Sequence, residues 1–93
     1  MFGKPKNELL PPANAKNASA VEVLRVWAEP GVAQSLVLKT TWKEPGAWGL
    51  LLADVTRHAA KAYASEGMPE AQALDRMLQL FHAEFTAPTD APS

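Results

Sequence analysis

The sequence predicts a small α+β domain: an antiparallel β-hairpin followed by two α-helices (ββαα), with an irregular N-terminal arm and a disordered C-terminal tail. Three observations predict it. Two runs rich in Val, Leu and Trp, 20–29 and 34–42, flank a Pro-Gly pair. From Pro45 onward the apolar spacing becomes helical. The ends, 1–19 and 87–93, carry proline without apolar periodicity. The ββαα domain is therefore assigned to 20–86.

The arm comes first. Pro5, Pro11 and Pro12 fix φ and remove N–H groups, which favours extended or polyproline-like chain. Phe2, Leu9 and Leu10 are its strong apolar anchors.

"AVEVLRVWAE" (20–29) reads as a strand, and "QSLVLKTTW" (34–42) as a second. Between them Pro30-Gly31 carries the type II turn signature, with glycine supplying φ > 0. Type II turns match strand twist poorly in two-residue hairpins, so a tight loop and a wider one are both compatible. The choice sets the register, and a one-residue slip flips every side chain. An even-length loop puts Val21, Val23, Arg25 and Trp27 on one face with Leu36, Leu38, Thr40 and Trp42, and Glu22 opposite Lys39. An odd-length loop joins Leu24, Val26 and Ala28 to Leu36 and Leu38. The Glu22–Lys39 charge pair favours the first. Trp27 and Trp42 then lie near opposite ends of the hairpin.

The first helix is expected from Pro45 to about Ser65. Pro45 suits the first helical position, because its missing N–H has no partner there. Glu44 is a mediocre cap, although its charge favours the helix start. Gly67 and Pro69 form the stop. The second helix is expected from about Pro69 to Phe85. Leu74, Met77, Leu78, Phe81 and Phe85 make one apolar stripe along it.

Composition narrows the function. At 47% hydrophobic and 20% charged, the chain has the make-up of a globular protein. A net charge of -1 argues against charge-driven nucleic-acid binding. The absence of cysteine excludes disulfides and thiolate metal sites and points to a cytoplasmic setting. No apolar run reaches the roughly 18 residues needed to span a membrane. "MFGKPKNELLPPA" lacks the apolar segment of a secretory signal.

The long helix divides into three arcs at about 100° per residue. Trp48, Leu51, Leu52, Val55, Ala59, Ala62 and Tyr63 form a core face. Gly46, Gly49, Ala53, Thr56, Ala60 and Ala64 form a strip of small residues, suited to a self-association seam or a close helix pair. Gly46 and Gly49 favour a seam, since glycine in a helix costs up to about 1 kcal/mol relative to alanine. Asp54, Arg57, His58, Lys61 and Leu50 form the third arc. Asp54 could orient His58 as a general base, but no Ser or Cys sits in a nucleophile motif. An ion-paired, solvated face is the expectation, with no catalytic residue. Two histidines without a zinc-binding spacing give no metal site and no cofactor.

The start of the first helix is the candidate ligand site. Free N–H groups can hold an anion, Lys43 is adjacent, Gly46 permits close approach, and Trp48 could stack. Against it, Pro45 removes a donor and no phosphate-loop pattern is present.

Taken together, "ELLPP", "EVLRVWAEPG", "PGAWGLLLADVTRHAAKAYASEG" and "LFHAEF" resemble a family of short uncharacterised bacterial proteins, classed as a domain of unknown function. The resemblance implies a bacterial, cytoplasmic protein with strand-strand-helix-helix order. It implies no activity, cofactor or catalytic residue. A lone hairpin is marginal and has two open edges. The expectation is therefore a non-enzymatic protein-interaction or regulatory module acting as a homodimer, with another protein as a further partner. Its contact surface would be the small-residue strip or an open strand edge. The alternative is a small-ligand or anion-binding protein using Lys43, Gly46 and Trp48.

Overall fold

The hairpin closes where the Pro-Gly signature places it. The computed structural model describes residues 6–89, so Phe2 and the last four residues of the expected tail lie outside the described residues. Strand β1 spans Leu24–Glu29 and β2 spans Val32–Leu38, paired antiparallel in a two-stranded sheet. Glu29 faces Val32 across a two-residue loop, Pro30-Gly31. Gly31 takes φ 77, the left-handed value a type II turn asks of its third residue. Val32 and Ala33 thus belong to β2, whereas Lys39 to Trp42 fall beyond it.

The register corrects the sequence-based preference. One pair further in, Trp27 faces Ser35, and the pairing has shifted by one between Trp27 and Glu29. The extra residue lies on β2, where Ala33 and Gln34 together oppose Ala28 in a β-bulge. Only the tip keeps the register that would set Glu22 opposite Lys39. The remainder takes the other: Val26 faces Leu36 and Leu24 faces Leu38. The physical reason is the twist mismatch of this turn, which an added residue on one strand absorbs. Val23 then accepts the Lys39 N–H at 2.9 Å, and Glu22 turns to Arg25 instead.

The arm is not extended throughout. Pro12 is polyproline-like (φ -67, ψ 161), but Ala13–Lys16 forms a 3₁₀ turn. Glu8 reaches Arg25 of β1 with an N–O distance of 3.2 Å.

The chain divides into two units, the first ending at Thr40 and the second beginning at Thr41. The second holds both helices, α1 (Gly46–Ser65) and α2 (Glu70–Thr86). Pro45 already has helical dihedrals, φ -59 and ψ -24. The first turn closes through Ala47 N–H to Glu44 O and Trp48 N–H to Pro45 O. At the far end Gly67 turns left-handed (φ 106), Met68 N–H bonds Tyr63 O and Gly67 N–H bonds Ala64 O. Both bonds of a Schellman stop are present, satisfying carbonyls that the helix end would orphan.

The two helices pack on each other across this short turn. Ala60 on α1 and Ala73 on α2, similar distances from the turn, are the two buried hydrophobic residues among those described, at 0% and 3% exposure. Lys61 of α1 reaches Glu70 of α2 at 3.8 Å near the same level. Phe81 lies against Phe85, ring centres 5.0 Å apart. Beyond α2, Thr89 N–H donates to Glu84 Oε2 at 2.8 Å, which ties the first residues of the expected tail back to the helix.

Candidate functional site

At the start of α1 the chain supplies its own anion. The Gly46 N–H donates to Glu44 Oε1 at 2.9 Å. A Cβ built on Gly46 would lie 3.2 Å from that same oxygen. The missing side chain therefore makes room for Glu44, and the carboxylate sits at the positive end of the helix where an anion would bind. An incoming anion would have to displace a tethered one. Trp48 is half-buried and meets Trp42 edge-to-face, with ring centres 5.9 Å apart and planes at 76°. Trp42, expected at the end of the second strand, thus belongs to the lead-in of α1. Lys43 is exposed.

The small-residue arc is split. Ala60 is fully buried, while Gly46, Gly49, Ala53 and Ala64 are exposed. At Gly49 a Cβ would meet nothing within 4 Å. The strip thus includes one position of the helix pair and several open ones.

On the polar arc His58 Nδ1 lies 2.7 Å from the main-chain carbonyl of Asp54. A carbonyl only accepts, so the neutral ring carries its proton on Nδ1. This is a helix-backbone bond from an exposed ring, not an imidazole set by the Asp54 carboxylate.

The best-defined polar cluster is one that sequence reasoning does not single out. Arg25 forks onto Glu22, Nε to Oε2 at 3.1 Å and Nη2 to Oε1 at 2.9 Å, while Nη1 pairs with Glu8 at 3.2 Å. The hydrogen bonds Arg25 donates to Glu22, then the charges of Glu22 and Glu8, raise the guanidinium pKa above its ordinary value. The signal is an acid three residues before an arginine, but the even-loop register assigns Glu22 to Lys39 and hides it. Two shallow depressions of ≈ 200 and ≈ 220 Å³ lie along the hairpin, both lined by Arg25 and Val37. Lys43, Gly46 and Trp48 line neither.

Residues 8–89 match the family described as a domain of unknown function, DUF5076. The chain belongs to this family. No curated protein matches it. It is similar to a solved structure from the photosynthetic bacterium Rhodopseudomonas palustrus CGA009, named as a candidate pyruvate dehydrogenase. The two share 40% identity and superpose with a TM-score of 0.77, covering 100% of this chain and 95% of that one. Among the described residues no helix is long and apolar enough to cross a membrane.

Proposed function

We propose that this member of the DUF5076 family is a non-enzymatic protein-interaction module that works as a homodimer. The observation that carries the reading is the scarcity of buried side chains. Among the described residues only two alanines are buried hydrophobics, and no large side chain is fully buried. Val37 is 67% exposed, Leu50 73% and Phe85 76%. Apolar surface on this scale is stabilised by association.

The polar groups support binding over chemistry. His58 commits its Nδ1 to the main chain, and the Arg25 guanidinium is matched by two carboxylates. The name of the Rhodopseudomonas relative therefore stays with that protein in our reading. Its bacterial source, with the cysteine-free composition, supports a place in a bacterial cytoplasm.

Light scattering on the purified chain tests the proposal. A mass near twice 10.0 kDa is expected across the micromolar range. A monomer at the highest soluble concentration would sink it.

A further inference from the structure

The hairpin contains two edges, and they differ. The bulge lies on β2, and a bulge twists an edge away from further pairing. Strand β1 runs without one from Leu24 to Glu29. It carries two charges of opposite sign, Arg25 and Glu29, on one face, with Trp27 midway between them. Arg25 keeps 41% of its side chain exposed. Its contacts with Glu22 and Glu8 occupy three of the five N–H donors of a guanidinium. Among the described residues no ion pair involves Glu29.

The ladder fixes which groups of β1 point outward. The Lys39 N–H bonds Val23 O, so the 23/39 pair is hydrogen-bonded. Antiparallel pairs alternate, so Arg25/Val37 and Trp27/Ser35 bond across the hairpin, while Leu24/Leu38 and Val26/Leu36 do not. The main-chain groups of Leu24 and Val26, and by the same alternation along β1 those of Ala28, face away from β2. Among the described residues no main-chain hydrogen bond reaches them from another element.

We infer that β1 pairs with β1 of a second copy, antiparallel, about a two-fold axis through Trp27. This rests on the homodimer reading and names its surface. Outward groups must meet outward groups, so the axis passes through a residue and not between two. Through Arg25 it sets each guanidinium against its own copy, a like-charge pair. Through Val26 it sets Glu29 against Val23. Through Trp27 it sets each Arg25 against the Glu29 of the other copy and the two Trp27 rings against each other, both favourable cross-strand pairs. Charge complementarity here fixes register more than it adds affinity. Val26 exchanges both main-chain hydrogen bonds with Ala28 of the other copy, and Pro30, which has no N–H, comes opposite Leu24 and ends the ladder. The product is a four-stranded sheet in the order β2-β1-β1-β2. Leu24, Val26, Leu36 and Leu38 of each copy share one face of it, and a sheet of this size with an apolar face is stable in water. Its outer edges are the two bulged strands, so the assembly closes as a dimer.

The test uses the natural lack of cysteine. Trp27 faces its own copy as a non-hydrogen-bonded pair, with Cα atoms about 4.5 Å apart, inside the range a disulfide accepts. Oxidised Trp27→Cys is expected to run as a covalent dimer on a non-reducing gel. Ser35→Cys, opposite Trp27 in the hairpin but on the outer strand, is expected to run as a monomer. In the unaltered protein, amide exchange should be slow at Val26 and Ala28 and fast at Leu36. A protein that scatters as a dimer, yet shows no cross-link in the Trp27→Cys variant and fast exchange at Val26 and Ala28, overturns the edge pairing and leaves the homodimer standing. Equal cross-linking of both cysteine variants overturns it too. A monomer overturns both readings.

Discussion

The two units satisfy their main chains in different ways. Inside the helices of the second unit peptide groups bond neighbours four residues away, and a Schellman stop closes α1 locally. In the hairpin unit the ladder satisfies one side of each strand and leaves the other side bare. A helix can complete its hydrogen bonding within itself; a strand at an edge cannot. The small side chains repeat the contrast. The helix pair manages its close approach with Ala60 and Ala73, whereas β2 buries nothing. On the homodimer reading the difference says where dependence on a partner would be concentrated, and the following substitutions press on it.

The largest expected effect is at the helix pair. Ala60 is fully buried, so Ala60→Leu inserts three carbons where the helices pack. Overpacking of this kind costs roughly 1–3 kcal/mol. A domain of this size should lose about 4–8 °C in Tm for each kcal/mol. Thermal denaturation followed by circular dichroism reads it directly. Ala53→Leu, at an exposed position of the same arc, is the matched control and should leave Tm nearly unchanged. If both variants melt alike, Ala60 is not the point of close approach.

A middle-sized effect belongs to the stop. Gly67 sits at φ 106, where a Cβ collides with the following carbonyl. Gly67→Ala should cost about 1–2 kcal/mol, read as a lower urea midpoint with an unchanged m-value. The space around Gly67 is open, so the penalty is conformational and not steric crowding by a neighbour. A variant with wild-type stability would mean that α1 can end in another way.

These stops show what was legible. Gly67 and Pro69 end a helix by local chemistry, so sequence alone located the end of α1 and the start of α2. The Pro30-Gly31 turn was legible for the same reason. The register was not. The decisive residues are Ala33 and Gln34, whose side chains give no sign of a bulge; the turn whose twist mismatch requires one ends just before them at Gly31. The 3₁₀ turn at 13–16 was hidden by the two prolines before it, which suggested extended chain throughout. At the candidate site, the types were read correctly and their partners were not. Lys43, Gly46 and Trp48 suggested a ligand, but Gly46 receives Glu44 and Trp48 receives Trp42. Partners two or six residues off along the chain carry no periodicity, so pattern reading passes over them.

Gly49 gives the smallest expected effect and the most informative sign. On sequence grounds this glycine is where another backbone would approach, because a helix could use alanine there at lower cost. Within the chain nothing comes within 4 Å of its missing Cβ, and its helical φ needs no glycine. Gly49→Ala should then stabilise the protein by up to about 1 kcal/mol, through helix propensity alone. That outcome, with the mass in solution unchanged, leaves the small-residue strip without an intermolecular role. A Tm that falls with protein dilution more steeply in Gly49→Ala than in the parent would reverse the comparison. It would place a second copy's backbone against α1, and the helical unit, not the hairpin, would be the part that depends on a partner.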